Sequence, residues 1–192
     1  MLCDSGTFCY TRDAVRRNYF RSTAAHNTII VDGEEQNRLS HDRQFLFAAS
    51  NEAAVSKIAE QYLDGECVLE ASHLGYNDFG VIHHRRVRLS DGSCVIEDRI
   101  SGTGQHNIEA NFHLAPEWIV TSVEQNGPTV ACRVEGLRPV TMHFSAPVRL
   151  QAEVVDTMIS RTFGTHLAAS KIRVHGEAQL PLQLSTRITW NG

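Results

Sequence analysis

The sequence has no run of apolar residues near the ~18 that a membrane-spanning helix requires. Its opening stretch, MLCDSGTFCYTRD, carries neither a basic leader nor an apolar segment behind one. Membrane insertion is not expected, and no targeting signal is present in these residues. Surplus positive charge is also missing, since 18 basic residues stand against 22 acidic ones for a net −4 with neutral histidines. That balance argues against general binding to nucleic acid or anionic membrane, and an acidic ligand would need a local basic patch. The five cysteines, Cys3, Cys9, Cys67, Cys94 and Cys132, include no Cys-x-x-Cys pair, which removes the simplest zinc-ribbon and dithiol redox sites. Cys94 and Cys132 fall on apolar faces, where a free thiol packs as a small hydrophobe. The ten histidines contain neither His-x-x-x-His nor His-x-His, so a metal centre would have to draw on distant residues.

What the chain does have is alternation. In HNIEANFHLAP, Ile108, Ala110, Phe112 and Leu114 share one side, and Asn107, Glu109, Asn111 and His113 share the other. A strand with one wet face reads this way. The same period recurs at Val130, Cys132 and Val134, at Val140, Met142 and Phe144, and at Leu182, Leu184, Ile188 and Trp190, while SCVIEDRI is rich in β-branched residues. Turn signals separate these runs: Asp32-Gly33, Asp91-Gly92, Gly102-Thr103-Gly104, read as a hairpin turn, and Asn126-Gly127-Pro128. Short strands about ten residues apart predict an all-β, antiparallel sandwich or barrel. At 192 residues and 42% hydrophobic, with no linker-like stretch, one domain over 1–192 is expected. Residues 45–65 break the pattern, because alanine content and the spacing of Ala54, Ile58 and Tyr62 favour a helix ended by Gly65.

Three features could carry chemistry. His83 and His84 are adjacent, so on a strand they face opposite ways and cannot share a centre. Of the remaining histidines, His113 and His143 sit on wet faces, and His41, His106, His166 and His175 flank turns or polar stretches; each is expected to be solvated or backbone-bonded. Arg16, Arg17 and Arg21, with Tyr19 and Phe20 among them, read as a loop able to meet carboxylates or sulfates bidentately and to stack an aromatic ring on a sugar, or equally as ordinary solvated surface. Arg85, Arg86 and Arg88 alternate on a strand and are expected to form cross-strand ion pairs. His26, at the head of the run that Asp32-Gly33 ends, could pack, bind a metal, or hydrogen-bond a carboxylate.

The order of short motifs is more specific than any one of them. Asp4-Ser-Gly-Thr-Phe8 with Tyr10, Tyr19-Phe-Arg-Ser-Thr23, Ala25-His-Asn-Thr28 and Val31-Asp-Gly33 come first. Gly75-Tyr76, His84-Arg-Arg86, Val95-Ile-Glu-Asp98, Gly102-Thr-Gly-x-His106, Phe112-His-Leu-Ala-Pro116 and Ser160-Arg-x-Phe-Gly164 follow. In that order they resemble the C-terminal domain of heparinase II/III-like polysaccharide lyases, over nearly the whole chain and most specifically over 1–33.

The resemblance implies a β-sandwich that follows an α/α-toroid domain in the full-length enzymes, with an acidic polysaccharide between the two, and it turns 45–65 from helix towards strands. It implies β-elimination on a uronic-acid-containing chain, with the tyrosine acid and histidine base expected upstream of this chain and no catalytic residue assigned within it. It implies a periplasmic or cell-envelope parent. It further implies a divalent ion, zinc by ligand chemistry and structural in role, held by Asp4, His26 and a histidine further upstream. Substrate contacts are expected from Arg16, Arg17, Tyr19 and Arg21. The competing expectation is a non-catalytic carbohydrate-binding or structural module.

Overall fold

The computed structural model describes residues 1–40, 42, 51–63 and 65–190. Two antiparallel sheets face each other. The smaller has four strands in the order β1 (Ile29–Val31), β6 (Gln105–His113), β11 (Leu167–Gln179) and β10 (Gln151–Ile159). The larger has eight, in the order β2 (Val55–Leu63), β3 (Glu66–His73), β4 (Ile82–Ser90), β5 (Ser93–Ser101), β12 (Leu182–Trp190), β9 (Val140–Ser145), β8 (Thr129–Glu135) and β7 (Ile119–Asn126).

Alternation puts the core where the period predicts. From the smaller sheet, Ile108, Ala110, Phe112, Ile172 and Val174 point inward. Ile96, Ile100, Val130, Cys132, Val134, Met142, Phe144, Leu184 and Ile188 meet them from the larger. Register aligns Phe112 with Ile172 and Ala110 with Val174 across β6 and β11. The Phe112 and Phe144 rings span the two layers at 5.2 Å, tilted by 55°. Such a pair adds about 0.5–1.5 kcal/mol to the burial of its area. All five cysteines are free, and Cys132 is fully buried as an apolar filler.

The sheets differ in width, and the core lies under β5, β12, β9 and β8. β2 and β3 add no residue to that cluster among the described residues, although Val68 of β3 is buried outside it. Leu69 and Val55 in that outlying pair are exposed. The stretch expected from propensity to be helical is β2 from Val55 onwards, paired with β3, so the strand expectation holds there; His41 and residues 45–50 and 64 lie outside the described residues. Pairing with β3 supplies ladder bonds that alanine-rich propensity does not register.

Two connections differ from expectation. Asp91-Gly92 is a two-residue hairpin with Gly92 at φ 73. Gly102-Thr103-Gly104, by contrast, carries the chain from β5 in one sheet to β6 in the other, and is a corner between layers instead of a hairpin turn. The arginine-bearing stretch is helical as well: α1 spans Ala14–Arg21, with the Asp13 side chain accepting from the Arg16 amide at 3.0 Å as its N-cap. None of the described helices is long and apolar enough to cross a membrane.

Replacing Phe112 by alanine should cost about 3–5 kcal/mol through lost burial and a residual cavity. Urea unfolding followed by tryptophan fluorescence measures it, with an unchanged m-value if only the native packing is affected.

Candidate functional site

The Asp-Ser-Gly segment closes on itself, with Asp4 Oδ1 accepting from the Gly6 amide at 2.8 Å. Asp4 Oδ2 then lies 2.7 Å from His26 Nδ1. Twenty-two residues of chain are thus folded back to join the two motifs. The meeting place is the protein surface, not the space between the sheets, since the Asp4 and His26 side chains are 64% and 37% exposed. Partial burial tends to raise the Asp4 carboxyl, but the bonds from His26 and Gly6 outweigh it and hold the group below its ordinary value. Ionised Asp4 accepts, so His26 donates through Nδ1–H, and its Nε2 lies outside the pair.

That geometry bears on a metal. Two donors on one tetrahedral zinc stand about 3.3 Å apart if each lies ~2.0–2.1 Å from the ion. At 2.7 Å, Asp4 and His26 are bonded to each other. Asp4 is placed behind the imidazole, as carboxylates are behind metal-bound histidines, with Nε2 left to ligate. Among the described residues no three His, Cys, Asp or Glu side chains gather into a metal-holding group. One further imidazole senses this pair electrostatically. His113 has its pKa lowered to about 4 by burial, by Lys171 and by His26.

His113 is a correction to the sequence expectation of a solvated or backbone-bonded histidine. It is fully buried, and neither ring nitrogen has a hydrogen-bond partner among the described residues. Its strand parity is the wet one, but this end of β6 is covered. The N-terminal segment bonds to it through Cys3 N–H and His113 O at 3.1 Å, and Lys171, opposite His113 in register, donates to the Ala24 carbonyl at 2.9 Å.

Asn27, next to His26, holds the motif to both sheets. Its amide donates to Cys3 O at 2.8 Å, its side-chain oxygen accepts from the His113 amide at 2.6 Å, and its carbonyl accepts from Arg85 Nη1. Arg85 also grips Asp98 with two bonds, Nε at 2.6 Å and Nη2 at 3.0 Å. His83 Nε2 bonds Asp98 at 2.7 Å, His73 Nε2 lies 2.9 Å from His83 Nδ1, and the Gly75 amide donates to His73 Nδ1 at 3.1 Å. The protons in this row follow from its ends. Asp98 accepts from His83, so His83 Nδ1 must accept from His73 Nε2–H, and His73 Nδ1 accepts from Gly75. His73, which accepts at Nδ1 and donates from Nε2, is therefore neutral. Burial alone would raise the Asp98 carboxyl, yet Arg85 and His83 hold it far below the usual range. Burial, His83 and Arg85 depress His73 to about 4.

This row was legible in one respect that the sequence analysis did not use. Asp98 shares strand parity with Ile96 and Ile100, and a charged residue on the buried side of a strand marks a paired group. His83 and His84 do face opposite ways, one buried and the other bonded to Ser72 Oγ at 2.8 Å. Arg86 pairs with Glu70 at 3.1 Å and Arg88 with Glu97 at 3.7 Å, the expected cross-strand partners.

Helix α1 separates the remaining candidates. Arg16 lies 5.0 Å over the Phe8 ring and 3.7 Å from Asp13. Arg17 lies 5.2 Å over Tyr10. Arg21 is a turn further along, its pKa lowered by burial and by Arg17. Tyr19 turns the other way, its hydroxyl 3.0 Å from Thr157 Oγ1 on β10. The helix thus brings Arg16 and Arg17 towards Phe8 and Tyr10, and anchors Tyr19 on the sheet. Tyr76 is fully buried and donates to the Ile29 carbonyl at 2.9 Å.

The polar site thus lies where the N-terminal segment covers one end of a two-sheet sandwich. The chain belongs to the heparinase II/III-like, C-terminal family, whose model matches residues 1–191. It is similar in fold to a solved heparinase III (16% identity, TM-score 0.75, covering 98% of this chain and 27% of that one). It is also similar to the heparan sulfate lyase HepC from Pedobacter heparinus (15% identity, TM-score 0.71, covering 98% of this chain and 28% of that one). The chain therefore spans less than a third of the length of these structures. No curated protein sequence matches it.

Neutral His73 makes a pH signature. His73 has a folded pKa near 4 against an ordinary 6.5, so between these values the unfolded chain binds more protons and stability rises with pH. Denaturant unfolding should show stability falling as pH drops from 6.5 towards 4 and this contribution levelling below. His73→Gln should make that decline shallower.

Proposed function

We propose that this chain is the sandwich part of a lyase that cleaves uronic-acid-containing polysaccharide by β-elimination. The observation that carries the reading is family membership over 1–191, joined to a fold that matches part of heparinase III over 98% of this chain. In such a reaction a base removes the proton alpha to the carboxylate, positive or hydrogen-bonding groups stabilise the developing enolate, and an acid protonates the departing glycosidic oxygen. The acid and base are assigned to the rest of the intact enzyme, its toroid domain. Burial of Tyr76, and the hold of Thr157 on Tyr19, leave those two hydroxyls poorly suited to meeting a glycosidic oxygen. The role given to this chain is to support one wall of the cleft, with Arg16, Arg17 and Arg21 offered to the acidic polymer and Tyr19 fixing α1 beneath them.

We assign a structural divalent ion, zinc by ligand chemistry, to Asp4 and His26. His26 Nε2 would ligate, Asp4 would orient the ring, and the remaining donors would come from elsewhere in the intact protein or from water. Such an ion would tie the Asp-Ser-Gly segment to the Ala-His-Asn-Thr segment.

Formation of unsaturated uronate, read by its ultraviolet absorbance over heparan sulfate, alginate and related polymers, tests the lyase reading. The intact enzyme should be active and these 192 residues alone should show little or no activity; strong activity from the 192 residues would overturn the assignment of acid and base elsewhere. For the ion, elemental analysis of the intact protein should find about one equivalent, with a melting temperature that drops on chelation and recovers with zinc. His26→Ala should abolish both the metal content and the zinc response.

A further inference from the structure

The β10–β11 turn and the segment before α1 meet beginning at Ser5 and Gly6, directly after Asp4. Ser160 N–H donates to Ser5 O and Gly164 N–H to Phe8 O, both at 2.8 Å, and Gly6 and Ser160 form a parallel bridge. Gly6 is required there: its φ is +74, and a Cβ would stand 2.1 Å from the Ser160 carbonyl oxygen. Two chain segments about 150 residues apart are thereby held in fixed relation.

On that scaffold sits an exposed aromatic surface. Tyr10 and Phe163 stack at 5.7 Å with 21° between their planes, and are 50% and 67% exposed. Arg17 lies over Tyr10, so Arg17, Tyr10 and Phe163 form a run of planar groups each stacked on the next. Beside them is an open cleft of 380 Å³ lined by Phe8, Arg12, Asp13, Arg16 and Phe163. Asp13 in that cleft is committed to capping α1. Arg12 is exposed and lines that cleft. A chain of net charge −4 has here a local excess of guanidinium beside two exposed aromatic rings.

We propose that Tyr10 and Phe163 form a stacking platform for one sugar ring of an acidic polysaccharide, with Arg12 and Arg16 receiving its carboxylate or sulfate. The plate matches the apolar C–H face of a pyranose, and guanidinium forks match a carboxylate or sulfate at its rim. This deepens the lyase reading and rests on it for the substrate class. It adds a subsite distinct from Tyr19, built from a turn that α1 does not contain.

The experiment is calorimetric titration of the 192-residue chain with size-defined heparan sulfate and alginate oligosaccharides, and with a neutral glucan of equal length. Wild type should bind the acidic oligosaccharides, more weakly as salt rises, and ignore the neutral one. The double variant Tyr10→Ala, Phe163→Ala should lose affinity about tenfold or more with its melting temperature unchanged, because both rings are exposed. Arg12→Gln should weaken binding of the acidic ligands, whereas Arg138→Gln, which lies over Trp190 and does not line this cleft, should not. Full affinity in the double variant, equal binding of the neutral glucan, or no binding by wild type would each overturn the platform. So would a finding that the rings only support the intact protein's melting temperature. Elimination by the intact enzyme is read separately, so loss of the platform and loss of the lyase reading give different results.

Discussion

Asp98 is a carboxylate with no exposed surface, and the arrangement around it keeps it charged. A lone buried charge would cost several kcal/mol, and this one survives because Arg85 grips both of its oxygens while His83 donates to one. What makes the interaction more than local is the other end of Arg85. By also reaching the Asn27 carbonyl, it connects the interior of the larger sheet to the Ala-His-Asn-Thr segment beside the smaller one. The position of His26, and hence its meeting with Asp4, depends on that chain of bonds. Breaking one partner would leave the others with unpaired charge, which is why such a row behaves as a unit.

A second constraint is what lies on the smaller sheet. Its outer face alternates polar residues as a solvated face should, but the first 28 residues fold over one end of it. Asn111, His113 and Lys171 become buried there, and Lys171 takes a backbone carbonyl as its partner. The other end, around Glu109, Arg173 and His175, remains an open charged surface in which Arg173 is held by Glu153 at 2.8 Å. One sheet face therefore serves both as a second, polar interior and as surface.

Much of the sandwich was legible because period two is a local property. Phe112, Val130, Met142 and Leu184 announce their side of the sheet whatever they later meet. Non-local covering was not legible. The wet parity of His113 is correct, yet nothing in its neighbours says that residues 1–28 will lie over it. Propensity failed at 55–63 because pairing with β3 outweighs the intrinsic preference of alanine, glutamate and lysine for helix. The basic stretch before His26 reads as a loop until Asp13 is seen to cap it. Of the site, the joining of Asp4 to His26 followed from resemblance, and composition or spacing would not have found it. Asp98 could have been found without any resemblance, from a carboxylate standing between Ile96 and Ile100 on the buried side.

The unequal width of the sheets divides the molecule energetically. β5, β12, β9 and β8 are clamped by the opposite layer, whereas the β2–β3 pair extends beyond it with Val55 and Leu69 in solvent. Strands that bury little apolar area gain little from the sandwich, so their ladder bonds can open without disturbing Phe112 or Phe144. Backbone amides of that overhanging hairpin would exchange with deuterium in local openings, while those of β12 and β6 would wait for the whole domain to unfold. Such a margin can bend or peel to follow a neighbouring surface while the double-layered body keeps its shape.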